Sequence, residues 1–203
     1  MQAGFSSLDS LKAFLLAEDL REQITYDEAI TRLGLGVAAA FDRHCNRTFA
    51  RAVGATWESP ADVEHVVLPR YPVEAITTVQ LRETIDAGWI TLTGVVRNWD
   101  AASGLVWFAG RQAASPALLR ITYTGGYWWD VDDGTTQPEG STVLPEDVRT
   151  AWLLQCEAAW LAHDGLGSAL AKSERPTAAL LNQVALLPSV KEVLSGYIRY
   201  AIS

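Results

Sequence analysis

The chain has 203 residues, 49% hydrophobic and 20% charged, a globular balance. A chain this long buries roughly 70% of its unfolded surface on folding, so neither a metal nor a disulfide is required as a staple. With 24 acidic against 16 basic side chains, a net charge of −8 and no cluster of Lys and Arg, it lacks the basic footprint of a protein that captures free nucleic acid.

The N-terminal part reads as helix. Ser6-Ser7-Leu8-Asp9 offers a cap, and Leu8, Leu11 and Leu15 follow at helical spacing. A second start signal is Thr25-Tyr26-Asp27-Glu28, where a Thr hydroxyl and a Glu three residues on can cap exposed N–H groups reciprocally. Ile30, Leu33, Val37, Phe41 and Cys45 then fall on one face, which predicts a helix from Tyr26 to Asn46. After Phe49 the texture changes to short runs rich in Val, Ile, Thr and aromatics: Val63–Leu68, Ala75–Leu81, Trp89–Thr93, Val95–Trp99, Leu105–Phe108 and Leu118–Tyr123. Pro69, Pro72, Gly88, Gly94, Gly104, Gly110 and Pro116 separate them. Trp128–Val143 is rich in Asp, Gly and Thr and reads as a loop. Helix resumes at Leu144-Pro145-Glu146-Asp147, with proline suited to a first turn and two acids that complement the helix dipole. Gly165 is expected to stop it, Gly165–Pro176 to be linker, and a last helix to run from Pro188 to the end.

This order predicts an α+β fold: an antiparallel helical bundle with an inserted antiparallel β-sheet or small β-sandwich lobe and a C-terminal arm or helix. The helical base would comprise 1–48 and 144–165, the β-lobe 49–127, an acidic loop 128–143, and the linker and arm 166–203.

Candidate chemistry is sparse. Gly34-Leu35-Gly36-Val37-Ala38-Ala39 matches a dinucleotide-binding fingerprint, but that motif needs a strand before it, and helix precedes it here; close helix packing is the expected use. Asp130, Asp132 and Asp133 with Gly134 match the opening of a calcium loop, yet Ser141 stands where the closing Glu belongs, and a solvated loop is expected. His44 beside Cys45 and His163 beside Asp164 point in different directions from a helix, so neither pair makes a catalytic unit, and His65 has no ligand companion. Cys45 and Cys156, outside any CxxC arrangement, read as free thiols of a reducing compartment. Met1–Gly4 lacks the basic start of a secretory signal, and no apolar run reaches membrane-spanning length. No enzyme, cofactor, metal or membrane association is expected. Trp89, Trp99 and Trp107 fall among the strands as core or sheet-face residues, whereas Trp128 and Trp129 flank the polar loop as interface anchors or a sugar-stacking platform.

The wording of several segments, in their order, resembles the head–tail connector (adaptor) family of long-tailed bacteriophages. These are Leu8–Leu15 (LDSLKAFL), Phe41–Phe49 (FDRHCNRTF), Leu68–Val73 (LPRYPV) leading into Ile76–Val79, Ile121–Tyr127 (ITYTGGY), Leu144–Val148 (LPEDV) and Leu194–Arg199 (LSGYIR). Gly34 and Gly36 within the second helix, and the apolar stretch Thr177–Leu187, depart from the pattern. The resemblance implies a structural ring protein, usually twelvefold, in the virion neck after assembly in the host cytoplasm. Its partners would be the portal protein, the next neck or tail-completion protein, other copies of itself, and double-stranded DNA passing through the lumen without sequence-specific binding. The C-terminal segment would dock on the portal, with Val190, Val193, Leu194, Tyr197, Ile198 and Tyr200 as its interface. Asp130, Asp132, Asp133 and Glu139 are expected to line the channel, where acids repel phosphate and let DNA slide. A neighbouring head-completion or tail-completion ring is the near alternative, and a carbohydrate-binding β-module the distant one.

Overall fold

The computed structural model describes residues 3–129, 136–170 and 185–200. The fold is α+β, and the chain divides into two compact units, one helical and one β.

The helical unit comprises 1–45, 129–137 and 144–198. Its helices are α1 (Leu8–Leu15), α2 (Asp27–Cys45), α3 (Glu146–Leu170) and α4 (Pro188–Ser195), with single 3-10 turns at Glu18–Leu20 and Ile24–Tyr26. Ser7 caps α1, its hydroxyl accepting from the Ser10 N–H at 3.2 Å. Thr25 does not cap α2 from outside, as the sequence suggested; it lies within the 3-10 turn that runs into the helix. Lys12 is buried on α1 yet satisfied, since its ammonium donates to Gln23 O at 3.1 Å and to Asp27 Oδ1 at 2.6 Å.

The predicted apolar stripe of α2 is buried in full: Ile30, Leu33, Val37, Phe41 and Cys45, together with Gly34. Gly34 is in α2 because another backbone needs its space. A Cβ there would collide with the Ala3 carbonyl, and Trp152 of α3 donates its indole N–H to Gly34 O at 3.1 Å. Phe5 centres this core, its ring 5.8 Å from Phe41, 5.3 Å from Trp129 and 5.9 Å from Trp152. α3 does not stop at Gly165; it continues through Gly165 and Gly167 to Leu170. Glycine inside a helix costs only about 1 kcal/mol relative to alanine, and no proline follows before Pro176 to force an end. The last helix, by contrast, is shorter than the apolar spacing suggested. It closes at Ser195, where the Gly196 and Tyr197 N–H groups turn back onto Val193 O and Leu194 O.

Both cysteines are fully buried here. Cys45 directs its thiol at Leu194 O, 3.7 Å away, and burial pushes the Cys156 thiol well above its ordinary pKa. In the folded chain, Ellman's reagent is therefore expected to titrate neither thiol within minutes, and both once urea unfolds it.

The β unit comprises 46–128, 138–143 and 199–203. Its strands are β1 (Ala52–Pro60), β2 (His65–Val67), β3 (Val73–Arg82), β4 (Ile90–Leu92), β5 (Val96–Asp100), β6 (Leu105–Phe108), β7 (Leu118–Gly125), β8 (Tyr127–Trp128) and β9 (Thr142–Val143). An antiparallel sheet of order β1-β7-β3-β4 and another of order β2-β6-β5 share one core, so the small sandwich is the form adopted. β7 alternates strictly, burying Leu119, Ile121 and Tyr123; β3 adds Val79 and Leu81, and β6 adds Val106 and Phe108. β8 and β9 pair in parallel, so the end of the expected 128–143 loop is strand.

Candidate functional site

Four of the sequence segments that carry the family resemblance meet at one place in the β unit. Arg47 sits at its centre, 4% exposed. Its guanidinium lies 3.5 Å from the Tyr71 ring centroid, 4.7 Å from that of Phe49 and 5.2 Å from that of Tyr127, and it donates to the Tyr71 carbonyl. Arg70 donates to Ala50 O, and the Thr48 N–H donates to Pro69 O at 2.8 Å. Gly125 and Gly126 let these strands close. A Cβ at Gly125 would stand 2.7 Å from Arg70 O, and one at Gly126, where φ is +96°, 2.6 Å from Ala50 O. The fourth segment arrives with Arg199, whose side chain donates to Val67 O at 2.6 Å and lies 5.4 Å from the Trp57 ring. Burial lowers the Arg199 pKa. Beside them, Arg51 grips Glu74 with two hydrogen bonds of 2.7 and 2.8 Å, which raise the arginine's pKa.

This junction is built to hold chain segments together: Arg47, Arg70 and Arg199 each donate to a backbone carbonyl, Arg47 and Arg199 also lie against aromatic rings, and the buried Nε atoms of Arg47 and Arg199 are left without a hydrogen-bond partner among the described residues. Burial raises the pKa of Tyr71 and of Tyr123 above the ordinary 10.0. For an acid raised on folding, the stabilisation is complete below the unfolded value and is lost as pH climbs through the folded one. The fold is thus expected to weaken above pH 10, and Tyr123→Phe to flatten that decline in circular-dichroism melts taken at stepwise pH.

The residues expected to dock on a partner separate into two groups. Val190 and Leu194 are 1% and 0% exposed, so this half of the stripe is core of the helical unit. Val193, Tyr197 and Ile198 are half-buried, while Tyr200 is 73% exposed. Tyr197 donates its hydroxyl to the Asp147 carboxylate at 2.9 Å, tying α4 to the first turn of α3. Between the two helices lies a groove of about 290 Å³, mostly apolar, lined by Thr150, Ala151, Leu154, Val190 and Val193, with Glu146 and Asp147 at its rim.

Of the expected channel acids, Asp130, Asp132 and Asp133 lie outside the described residues; Glu139 is exposed in the turn before β9. Trp128 is half-buried in β8, but Trp129 is a core residue against Phe5, so the two rings do not form an open stacking platform. Trp99 and Trp107 sit in β5 and β6 with more than a third of their surface exposed. His44 is on α2 and His65 in β2, and the side chain of His163 lies outside the described residues. Among the described residues no group of His, Cys, Asp or Glu is placed to hold a metal ion, and no helix is long and apolar enough to cross a membrane.

No family model matches the sequence, and no curated protein matches it significantly. Solved structures do match. One is a chain in the neck of an empty GTA particle, computed with C6 symmetry (14% identity, TM-score 0.58); another comes from the virion of a native gene transfer agent particle (14%, 0.57). A third is from the neck of the native GTA particle, computed with C12 symmetry (14%, 0.52). Each alignment covers 97% of this chain and 90% of the other. The chain has the fold of a virion neck protein. Because both units fall within the matched length, the likeness extends to the whole helix–sandwich–helix order and not to one motif.

Proposed function

We propose that the chain is a structural subunit of a phage-type neck, a non-enzymatic ring component that sits beneath the portal, extends the DNA channel and joins capsid to tail. The observation that carries this reading is the likeness over 97% of the chain to neck structures, two of them computed with C6 and C12 symmetry. It is supported independently by the junction around Arg47, where segments resembling the head–tail connector family are brought together. The net charge of −8 suits a lumen through which DNA passes and is not held. Glu139, exposed in its turn, and the acids at 130, 132 and 133 are assigned to the channel wall. Of the docking residues, Val193, Tyr197, Ile198 and Tyr200 are proposed to face the portal, since Val190 and Leu194 are occupied in the core.

The test is to mix the purified chain with portal rings at low and moderate salt and image the product by cryo-electron microscopy. A ring of this chain seated on the portal, coaxial with its channel, is the expected result. A chain that never binds portal under either condition overturns the reading, and a ring found one layer further down assigns it instead to a head-completion or tail-completion position.

A further inference from the structure

We infer that neighbouring copies of this chain join through unlike helix faces, the outward face of α2 on one copy meeting the outward face of α3 on the next. This rests on the ring reading above and names the surfaces that would build the ring.

On α2, the residues opposite the buried stripe are Arg32, Leu35, Gly36, Ala39 and Arg43, three and four apart and therefore on one face. Leu35 is 47% exposed, and a Cβ at Gly36 would meet nothing within 4 Å, so a second helix can approach closely there. The acid beside this face, Glu28, is already paired one turn away with Arg32. On α3 the outward residues are Thr150, Leu154, Glu157, Ala158 and Leu161, again three and four apart. Leu154 is 43% exposed and Leu161 62%. The groove beside Leu154 offers a mostly apolar seat for a side chain such as Leu35, with Glu146 and Asp147 at its rim.

Charge selects the occupant. The α2 face presents Arg32 and Arg43 around its leucine; the α3 face presents Glu146, Asp147 and Glu157 around its own. Two α3 faces would repel, and two α2 faces, where Glu28 offsets Arg32 and Arg43 is left in excess, would gain no attraction, so a symmetric back-to-back dimer is disfavoured and the unlike pairing is favoured. A head-to-tail contact of this kind leaves one face of each sort free at the ends, so it propagates, and on the circular template of a portal it closes as a ring. It also gives a chain of net charge −8 a local attraction that its overall charge does not supply.

Paired charge reversals test this on the full chain. Arg32→Glu with Arg43→Glu makes both faces acidic, and Glu146→Arg with Glu157→Arg makes the α3 face basic to match α2. Each variant alone is expected to assemble at least ~10-fold more weakly than wild type, by mass photometry of free chains and of chains on portal rings. An equimolar mixture should recover assembly as alternating rings with even subunit numbers only. Because these are exposed positions, only a small loss of stability is expected, from breaking the Arg32–Glu28 pair and from placing a cation in the first turn of α3, which leaves each variant folded. As a check independent of charge, oxidation of a chain carrying Leu35→Cys and Leu154→Cys should give a ladder of cross-linked multimers, whereas each single variant should stay monomeric, because its one exposed thiol faces a leucine across the unlike contact. Variants that assemble like wild type, or a double-cysteine chain that gives no ladder while wild type forms rings, overturn the assignment of faces and leave the neck reading intact. A wild-type chain that stays monomeric both free and with portal overturns the ring itself, and these faces with it.

Discussion

Arg47→Ala is expected to cost about 3–5 kcal/mol of stability, in the range seen when a large buried aromatic is cut to alanine. The side chain is 4% exposed and fills the space between the rings of Tyr71, Phe49 and Tyr127. Its removal leaves a cavity among three aromatic rings and deprives the Tyr71 carbonyl of its donor, and an unsatisfied buried acceptor adds roughly 1–3 kcal/mol of its own. Arg47→Lys should recover only part of the loss. A lysine ammonium is a point charge without the flat guanidinium surface that lies against Tyr71, and it is more strongly hydrated. Arg47→Met, which restores volume without charge, separates packing from cation–π attraction: packing predicts a melt nearer wild type than that of the lysine variant. Urea titrations followed by tryptophan fluorescence measure all three. A melt within 1 kcal/mol of wild type for Arg47→Ala would show that the segments at 47–51, 68–73 and 121–127 are held by something other than this residue.

Much of the architecture is legible from spacing, and the exceptions have physical reasons. The α2 stripe reads directly because Ile30, Leu33, Val37, Phe41 and Cys45 obey one period and all face one core. β7 is equally plain, since alternate residues are buried along its whole length. β1 is invisible to the same reading. It is the edge strand of its sheet, and its inward positions hold a half-buried Ala55, Trp57 and a buried Ser59, too small or too polar to mark a hydrophobic alternation. The end of α3 is not legible because Gly165 has the look of a stop, whereas an interior glycine only weakens a helix. The junction around Arg47 cannot be seen locally at all. A lone arginine after a helix has no periodicity, and its aromatic partners come from residues 49, 71 and 127. The segments that resembled a family were recognisable as wording, but why they go together emerges only when the sandwich brings them into contact. The exposed faces of α2 and α3 are illegible in the sequence for the opposite reason: Leu35 and Leu154 are single apolar residues among polar ones, and only their exposure separates them from core.

Deleting 188–203 is expected to lower stability by about 5 kcal/mol or more, enough to unfold the helical unit of a chain with ordinary marginal stability. The reason is that the C-terminal segment, read from sequence as a docking arm, is built into the chain's own fold. Val190 and Leu194 are 1% and 0% exposed, and removing two such side chains costs on the order of 2–5 kcal/mol each by analogy with large-to-small core substitutions. Freeing the segment's backbone and side chains returns entropy and offsets part of this. The deletion also takes away the Leu194 carbonyl that faces the Cys45 thiol, the Tyr197 hydroxyl that holds Asp147, and, in the β unit, the Arg199 side chain on Val67 O. A detachable arm predicts the reverse, a truncated chain whose circular-dichroism melt is unchanged and which has lost only its affinity for portal. Tyr200→Asp keeps the two roles distinguishable. That ring is 73% exposed, so its replacement should leave the melt within about 0.5 kcal/mol of wild type. If the end of the chain also docks on the portal, Tyr200→Asp lowers portal binding with no loss of fold, while the deletion loses both. A deletion that melts like the full chain would mean that α4 is an appendage after all, and its burial of Val190 and Leu194 dispensable.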